Sequence, residues 1–355
     1  MPDWTKSMQQ TFEYYLVDPG TWKDIKLLEG VKTSSTIDRD SEASTLGSAM
    51  IDIADTVDET YIRVYLITIQ NGVKEKHPLG TFLVQTLPTS FDGKVKTISL
   101  DAYTPLIELN EKYPDIGYYV PKGENIMDTA YRILSQKDIM RAPVARVSCD
   151  EKLFNDFVAD TSDTWLAYIN SLISNAKYEL SLDEMGRVLF APKQDVESLQ
   201  PIWTYTDDNS SILYPDVTVD RDLYGIPNVV EVLTSNGNVP IHVIKENTDI
   251  NSPTSIQNRG RRIVYRDTNP DIVGVATQER VEEYAAQLLR QFSTLEHTIT
   301  YTHAYCGTRV GDCVRLNYSK FGLNNVKAKI ISQSIKCQPG CPVTEKATYS
   351  TKLWR

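Results

Sequence analysis

Apolar residues recur at every second position through much of the first hundred residues of this chain, and Asn-Gly and Asp-Gly pairs punctuate the runs. In TYIRVYLITIQNG, Ile62, Val64 and Leu66 fall on one face and Tyr61, Arg63 and Tyr65 on the other, up to a turn at Asn71-Gly72. A period of two is the period of a strand, whose successive side chains point to opposite faces, and an Asn-Gly pair accepts the positive φ angles of a tight hairpin. HPLGTFLVQTLPTSFDGKVKTISLDAY continues with two more strand candidates separated by Asp92-Gly93. This segment is predicted to be a β-meander.

The period then changes. ENIMDTAYRILSQ places Ile126, Met127, Ala130, Tyr131 and Leu134 at helical spacing behind an Asn125 cap, and TWLAYINSLISNA repeats the pattern with Trp165, Leu166, Ile169, Leu172 and Ile173. YELSLDEMGRVLFAP follows as a hairpin that turns at Asp183 to Gly186. Strand character returns at Val229 to Leu233 and Ile241 to Ile244, joined across Ser235 to Asn238. One helix interrupts it: Val281, Tyr284, Ala285, Leu288, Leu289 and Phe292 line one face behind a Thr277 cap, within 276–293. The rest is strand, and no short tandem repeat signals a solenoid or propeller.

With 355 residues the chain has room for two or three domains. No apolar run approaches the ~20 residues that span a bilayer, and the start MPDWTKSMQQTFEYY lacks the apolar core of a secretion signal. A cytoplasmic protein without a membrane anchor is expected. Thirty-seven Lys and Arg against 47 Asp and Glu give a formal charge of −10; a surface of that sign repels phosphates, which disfavours tight nucleic-acid binding.

Five cysteines over this length do not resemble a disulfide framework. EHTITYTHAYCGTRVGDCVRLNY brings two histidines and two cysteines close in sequence, with CQPGC following. His297, Ile299, Tyr301, His303 and Tyr305 nevertheless alternate as one strand face, and six residues of strand separate His297 from His303 by about 20 Å, too far for one metal ion. Zinc held by Cys306, Cys313, Cys337 and Cys341 is the sharper alternative, but the Cys306–Cys313 spacing is wider than a usual knuckle; a Cys337–Cys341 disulfide is another. The plain strand reading accounts for each residue, so neither a metal nor a cofactor is expected.

SIQNRGRRIVYRD concentrates Arg259, Arg261, Arg262 and Arg266 in an acidic chain, an interface candidate for an acidic partner surface or phosphate, against a solvated loop as the plainer reading. No phosphate loop, GxSxG or HExxH occurs. Asp183 and Glu184 read as solvated turn charges. No catalytic constellation is found, and a non-enzymatic role is expected.

The order of elements carries more than any one motif. KLLEGVKTSSTIDRDSEASTLGSAMIDI, LGTFLV, DEMGRVLFAP, IPNVVEVLTS, NSPTSIQNRGRR, a helix and RVGDCVRLNY follow in sequence. In this order the chain resembles the late control protein D group, the baseplate hub proteins of contractile phage tails and tail-like bacteriocins. The resemblance implies a mainly β fold with α+β insertions: two β-barrel domains similar to tail-tube subunits, plus small α/β domains. Mapped here, the first barrel spans 1–115, the helix-plus-hairpin segment 116–227, and the second barrel 228–355. It further implies a homotrimer that presents six barrels and adapts a sixfold tail tube to a threefold spike, with tail tube, spike, tape-measure and other baseplate proteins as partners. DNA would pass through the channel without specific binding, and an acidic lumen would suit that passage. The expected location is the baseplate of a virion tail or tail-like particle, a contractile injection system assembled in the bacterial cytoplasm. No lysozyme or peptidase domain is read after Arg355, so wall hydrolysis is expected from a separate protein. The competing readings are a tail-associated cell-wall hydrolase or receptor-binding protein using a carboxylate pair, and an unrelated soluble multidomain β protein.

Overall fold

The computed structural model describes residues 2–352 except 33–34, 55–56, 87, 92, 95, 137, 195, 222–224, 237–238, 269, 271–276 and 293. Contacts divide the chain into two units, Met1–Val217 with Thr300–Ala347, and Thr218–Ile299 with Thr348–Arg355.

The period-two segment forms β1 (Gln9–Val17), β2 (Asp24–Leu27), β3 (Thr36–Asp40), β4 (Gly47–Ile53), β5 (Tyr61–Gln70), β6 (Val73–Thr86), β7 (Thr89–Phe91) and β8 (Lys96–Tyr103). β5 and β6 make the predicted hairpin: Gln70 pairs with Val73, and φ is 51° at Asn71 and 79° at Gly72. Two left-handed residues in succession match the twist of the flanking strands, where an ordinary turn would splay them. β7 and β8 pair from Phe91 and Lys96, and Asp92 of the predicted turn lies, with residue 95, outside the described residues. Ile62, Val64 and Leu66 are buried with Ile51, Ile53, Ile98 and Leu100. The opposite face of β5 is covered too, with Arg63 only 1% exposed.

That cover comes from the next segment, α1 (Ile107–Asn110), β9 (Tyr119–Val120), α2 (Ile126–Leu134), β10 (Phe157–Val158), α3 (Trp165–Ser174), β11 (Tyr178–Leu182) and β12 (Val188–Pro192). Asn125 accepts from the Asp128 N–H at 2.9 Å and Thr164 from the Ala167 N–H at 3.2 Å, satisfying donors that a first helical turn leaves without partners. Every apolar residue read at helical spacing in α2 and α3 is buried in one cluster with Leu180, Val188 and Phe190 of the β11–β12 hairpin. The turn of that hairpin docks on β5. Met185 O accepts from Trp22 Nε1 at 2.6 Å and from Arg63 Nη2 at 3.1 Å, while Arg63 also pairs with Asp24 at 2.7 Å. A Cβ on Gly186 (φ 74°) would lie 2.8 Å from Thr81 Cβ, so both conformation and space call for glycine. Glu184 departs from the solvated turn charge expected of it: it is buried, 2.7 Å from Arg309 and 3.7 Å from Arg39, because a docked turn carries its charge inward to paired guanidiniums. Asp183 pairs with Arg187 at 2.6 Å.

β13 (Trp203–Thr206) and β14 (Leu213–Arg221) follow, then β15 (Val229–Asn236), β16 (Val239–Glu246), α4 (Ile256–Arg259), β17 (Val264–Asp267) and α5 (Gln278–Phe292). Thr277 caps α5 by accepting from the Arg280 N–H at 3.3 Å. Val281, Ala285 and Leu289 are buried against Val230, Val232, Ile241 and Val243, with Tyr284, Leu288 and Phe292 at the margin. Residues 276 and 293 of the predicted helix, and 237–238 of the predicted β15–β16 turn, lie outside the described residues. The chain ends with β18 (Thr294–Ala304), β19 (Cys313–Tyr318), β20 (Leu323–Lys336) and β21 (Pro342–Lys352).

The fold is mainly β, but the two closed barrels expected from the resemblance are not formed by the described strands. Fourteen strands share one sheet with the open path β14-β18-β21-β20-β3-β4-β8-β6-β5-β1-β2, and β7, β13 and β19 attach beside it. The reason lies in β20. Its first half pairs with β19, from Tyr318↔Leu323 to Cys313↔Lys329, and its second half with β3, from Ser332↔Asp40 to Lys336↔Thr36. A strand of 14 residues at ~3.3 Å each is long enough to serve both, so β20 carries one sheet from β19 to β3. None of the described helices is long and apolar enough to cross a membrane.

Candidate functional site

The four arginines singled out in sequence belong to the second unit. Ser255 caps α4 by accepting from the Asn258 N–H, and Gly260 (φ 61°) ends the helix, turning the chain through Arg261 and Arg262 into β17. Asn228, fully buried, fixes this turn: its amide donates to Thr254 O at 3.1 Å and Arg261 O at 3.0 Å and accepts from Ile263 N at 2.7 Å. Arg259 reaches back to Ile226 O at 2.8 Å, and burial followed by the neighbouring charge of Arg261 lowers its pKa.

β17 runs parallel to β15, with Arg266 beside Glu231, and β16 runs antiparallel on the other side. Val230 and Val232 face α5, so alternation puts Glu231 on the opposite face. There Glu231 accepts from Arg266 at 2.8 Å and contacts His242 Nε2 at 2.8 Å; these two bonds, Arg266 first, hold its carboxyl below the ordinary range. Arg262 pairs with Glu246 at 2.6 Å. Leu233, Ile244 and Val264 expose 36%, 45% and 47% of their surface among these charges. The structure thus brings Arg262 and Arg266 onto an ion-paired sheet surface and leaves Arg261 exposed at its border. Such a surface offers apolar area and oriented charge, the makings of an interface. Sequence reasoning missed Asn228, Glu231 and His242, although the alternation of Glu231 with Val230 and Val232 was a readable signal.

The histidines and cysteines resolve differently. Cys149, Cys306, Cys313, Cys337 and Cys341 are free thiols. Cys337 and Cys341 sit in the apolar core around Ile335 and Val343, and burial raises Cys337 to about 12. Among the described residues no group of three or more His, Cys, Asp or Glu is placed to hold a metal ion. His297 stacks on Tyr349 with ring centroids 4.8 Å apart. His303 joins a wholly buried polar cluster in the first unit. Its Nδ1 lies 2.7 Å from Ala304 O, which only accepts, so Nδ1 carries a proton. Its Nε2 lies 3.2 Å from Glu345 Oε1 and 3.0 Å from Tyr205 Oη. Tyr205 Oη in turn donates to Glu345 Oε2 at 3.3 Å, so Nε2 is a donor as well and the ring is an imidazolium. Glu345 also accepts from Tyr301, Thr308 and Gln333, each at 2.6 Å.

Burial of the His303 ring works against its charge, but the Glu345 carboxylate and the hydrogen bonds outweigh it and raise the pKa to about 10. Burial likewise works against the Glu345 charge, and His303, Thr308 and Tyr301 outweigh it, holding the group below its ordinary value. Burial, then the charge of Glu345, pushes both Tyr205 and Tyr301 well up. With His303 and Glu345 at 0% exposure, no substrate reaches this pair; it is a structural ion pair between β18 and β21, and Tyr205 and Gln333 tie β13 and β20 to it.

This arrangement of strands and inserted helices is a fold shared with phage tail proteins. The tail protein from Neisseria meningitidis matches at a TM-score of 0.68 with 12% identity, covering 96% of this chain and 96% of that one. The 43 kDa tail protein of prophage MuSo2 from Shewanella oneidensis matches at 0.64 with 13% identity, covering 95% and 98%. The E. coli c3393 protein, a component of the type VI secretion system with structural similarity to T4 bacteriophage tail proteins gp27 and gp5, matches at 0.50 with 7% identity, covering 92% and 76%. No protein-family profile and no curated protein sequence matches the chain.

Proposed function

We propose that this chain is the baseplate hub of a contractile phage tail or tail-like bacteriocin, a non-enzymatic homotrimer that adapts a sixfold tail tube to a threefold spike. The observation that carries the proposal is the likeness to tail proteins over nearly the full length of both chains, which leaves little of this protein outside a tail-type scaffold. The likeness to a type VI secretion component that itself resembles two T4 tail proteins points toward the part of the tail that injection systems share. In this reading residues 1–115 and 228–355 are the two tube-like modules, and 116–227 is the α/β segment between them. Tube, spike, tape-measure and surrounding baseplate proteins are the partners, the baseplate is the location, and the arginine-bearing sheet surface is one of the contacts.

Coexpression with the tube and spike proteins of the same particle tests it. The expected result is a complex holding both when this chain is present and neither joined to the other when it is omitted. Tube and spike associating equally well without it would overturn the proposal.

A further inference from the structure

Strands β9 and β10 form a two-stranded ribbon in which Tyr119 lies directly across from Val158 and Val120 across from Phe157. The inner residues are anchored: Val120 and Leu153 are buried, and Phe157 packs its ring 5.0 Å from Tyr168. Alternation then sends Tyr119 and Val158 outward on one face, where they are 57% and 60% exposed. Leu153 accepts from the Gly123 N–H at 2.8 Å, holding Phe154 at one end of the ribbon, and Asp115 accepts from Tyr118 N at 2.9 Å, holding Ile116 at the other. Phe154 is 91% exposed and Ile116 93%. Lone exposed apolar residues are ordinary, but two exposed side by side on one face of an ordered ribbon, with two more in the segments that flank its ends, are not, and clusters of this kind mark protein contacts.

The rim chooses the occupant. Residues 113–122 and 150–160 carry five carboxylates, at Asp115, Asp150, Glu151, Asp156 and Asp160, against Lys122 and Lys152. A second copy of the same ribbon would bring like charges together, and an anionic lipid surface would be repelled. We infer that the β9–β10 ribbon is a docking site for a protein surface whose apolar side chains are bordered by lysine and arginine. This inference goes beyond the hub assignment and does not depend on it.

The test uses the full chain in solution with two synthetic amphipathic helices of equal length, one built of leucine and lysine, the other of leucine and glutamate. Hydroxyl-radical footprinting reads Ile116, Tyr119 and Phe154, and fluorescence anisotropy reads affinity. The leucine–lysine peptide is expected to protect all three residues, and Ile116→Ser with Phe154→Ser is expected to weaken its binding at least tenfold with the melting temperature unchanged, since both side chains stand in solvent. Phe91→Ser, at an exposed site elsewhere, is the control and should leave affinity unaltered. Equal binding of the leucine–glutamate peptide, protection absent from the ribbon, or affinity unmoved by the double variant would each overturn the inference, and any of these would leave the tube-to-spike test of the hub assignment standing.

Discussion

Replacing Glu345 with glutamine keeps the side-chain shape and removes one charge from the buried cluster. Four groups, on Tyr205, Tyr301, Thr308 and Gln333, donate to its two oxygens, and the His303 imidazolium pairs with it at 3.2 Å. A glutamine must turn its NH2 toward some of those donors, and the imidazolium of His303 loses its counter-charge. Breaking one side of a buried pair costs about 3–5 kcal/mol, a large share of the 5–15 kcal/mol by which proteins are usually stable. At roughly 2–4 °C per kcal/mol the loss of melting temperature is on the order of 10 °C. The pH dependence separates an ion pair from mere packing. His303 is raised from 6.5 to about 10, so its contribution is complete below pH 6.5 and is lost as pH climbs toward 10. Glu345 is held below 4.5, so its contribution is complete above that value and is lost as pH falls through the lowered one. Urea unfolding of wild type and Glu345→Gln from pH 4 to pH 10 should therefore show the widest gap between about 4.5 and 6.5, narrowing steadily on the alkaline side. His303→Gln combined with Glu345→Gln should cost less than the two single changes added. A gap that stays constant to pH 10, or one below about 1 kcal/mol, would refute a charged pair.

Gly186→Ala should lose about 2–4 kcal/mol in the same unfolding assay, because the new Cβ meets Thr81 at 2.8 Å in a left-handed conformation. Leu172→Ala, in the fully buried face of α3, should lose about 2–5 kcal/mol by urea unfolding, with the helix itself retained by circular dichroism. Arg261→Glu, at an exposed turn, should shift stability by no more than about 0.5 kcal/mol while reducing incorporation of the chain into particles, measured by quantitative mass spectrometry. A peptidoglycan zymogram of the purified chain should show no clearing; clearing would favour the hydrolase reading.

How far the sequence could be read depended on the range of the interaction involved. The Asn71-Gly72 hairpin, the Asn125 and Thr277 caps and the apolar faces of α2, α3 and α5 follow from chemistry within a few residues, and each is found where the pattern put it. Glu184 could not be read this way. Its burial depends on Arg39 and Arg309, more than a hundred residues away on either side, and nothing local announces a turn that docks. The open sheet was hidden for the same reason, since the β20–β3 ladder joins Lys336 to Thr36 across some three hundred residues. Of the candidate surface, Arg262 and Arg266 were visible as a charge run, while their partners Glu246 and Glu231 were not, because pairing across strands is set by register. The motif-like spacing of His303 and Cys306 marked a special place in the fold, but its meaning came from Glu345, forty residues on.

The native mass of the chain, measured by light scattering alone and after coexpression with the tube and spike proteins, decides whether it is a threefold adapter. Three copies are expected in the assembled complex, three times 40.2 kDa for this component, an outcome that the usual preference of homo-oligomers for dimers makes informative. Two copies per complex, unchanged from micromolar to tens of micromolar protein, would contradict it.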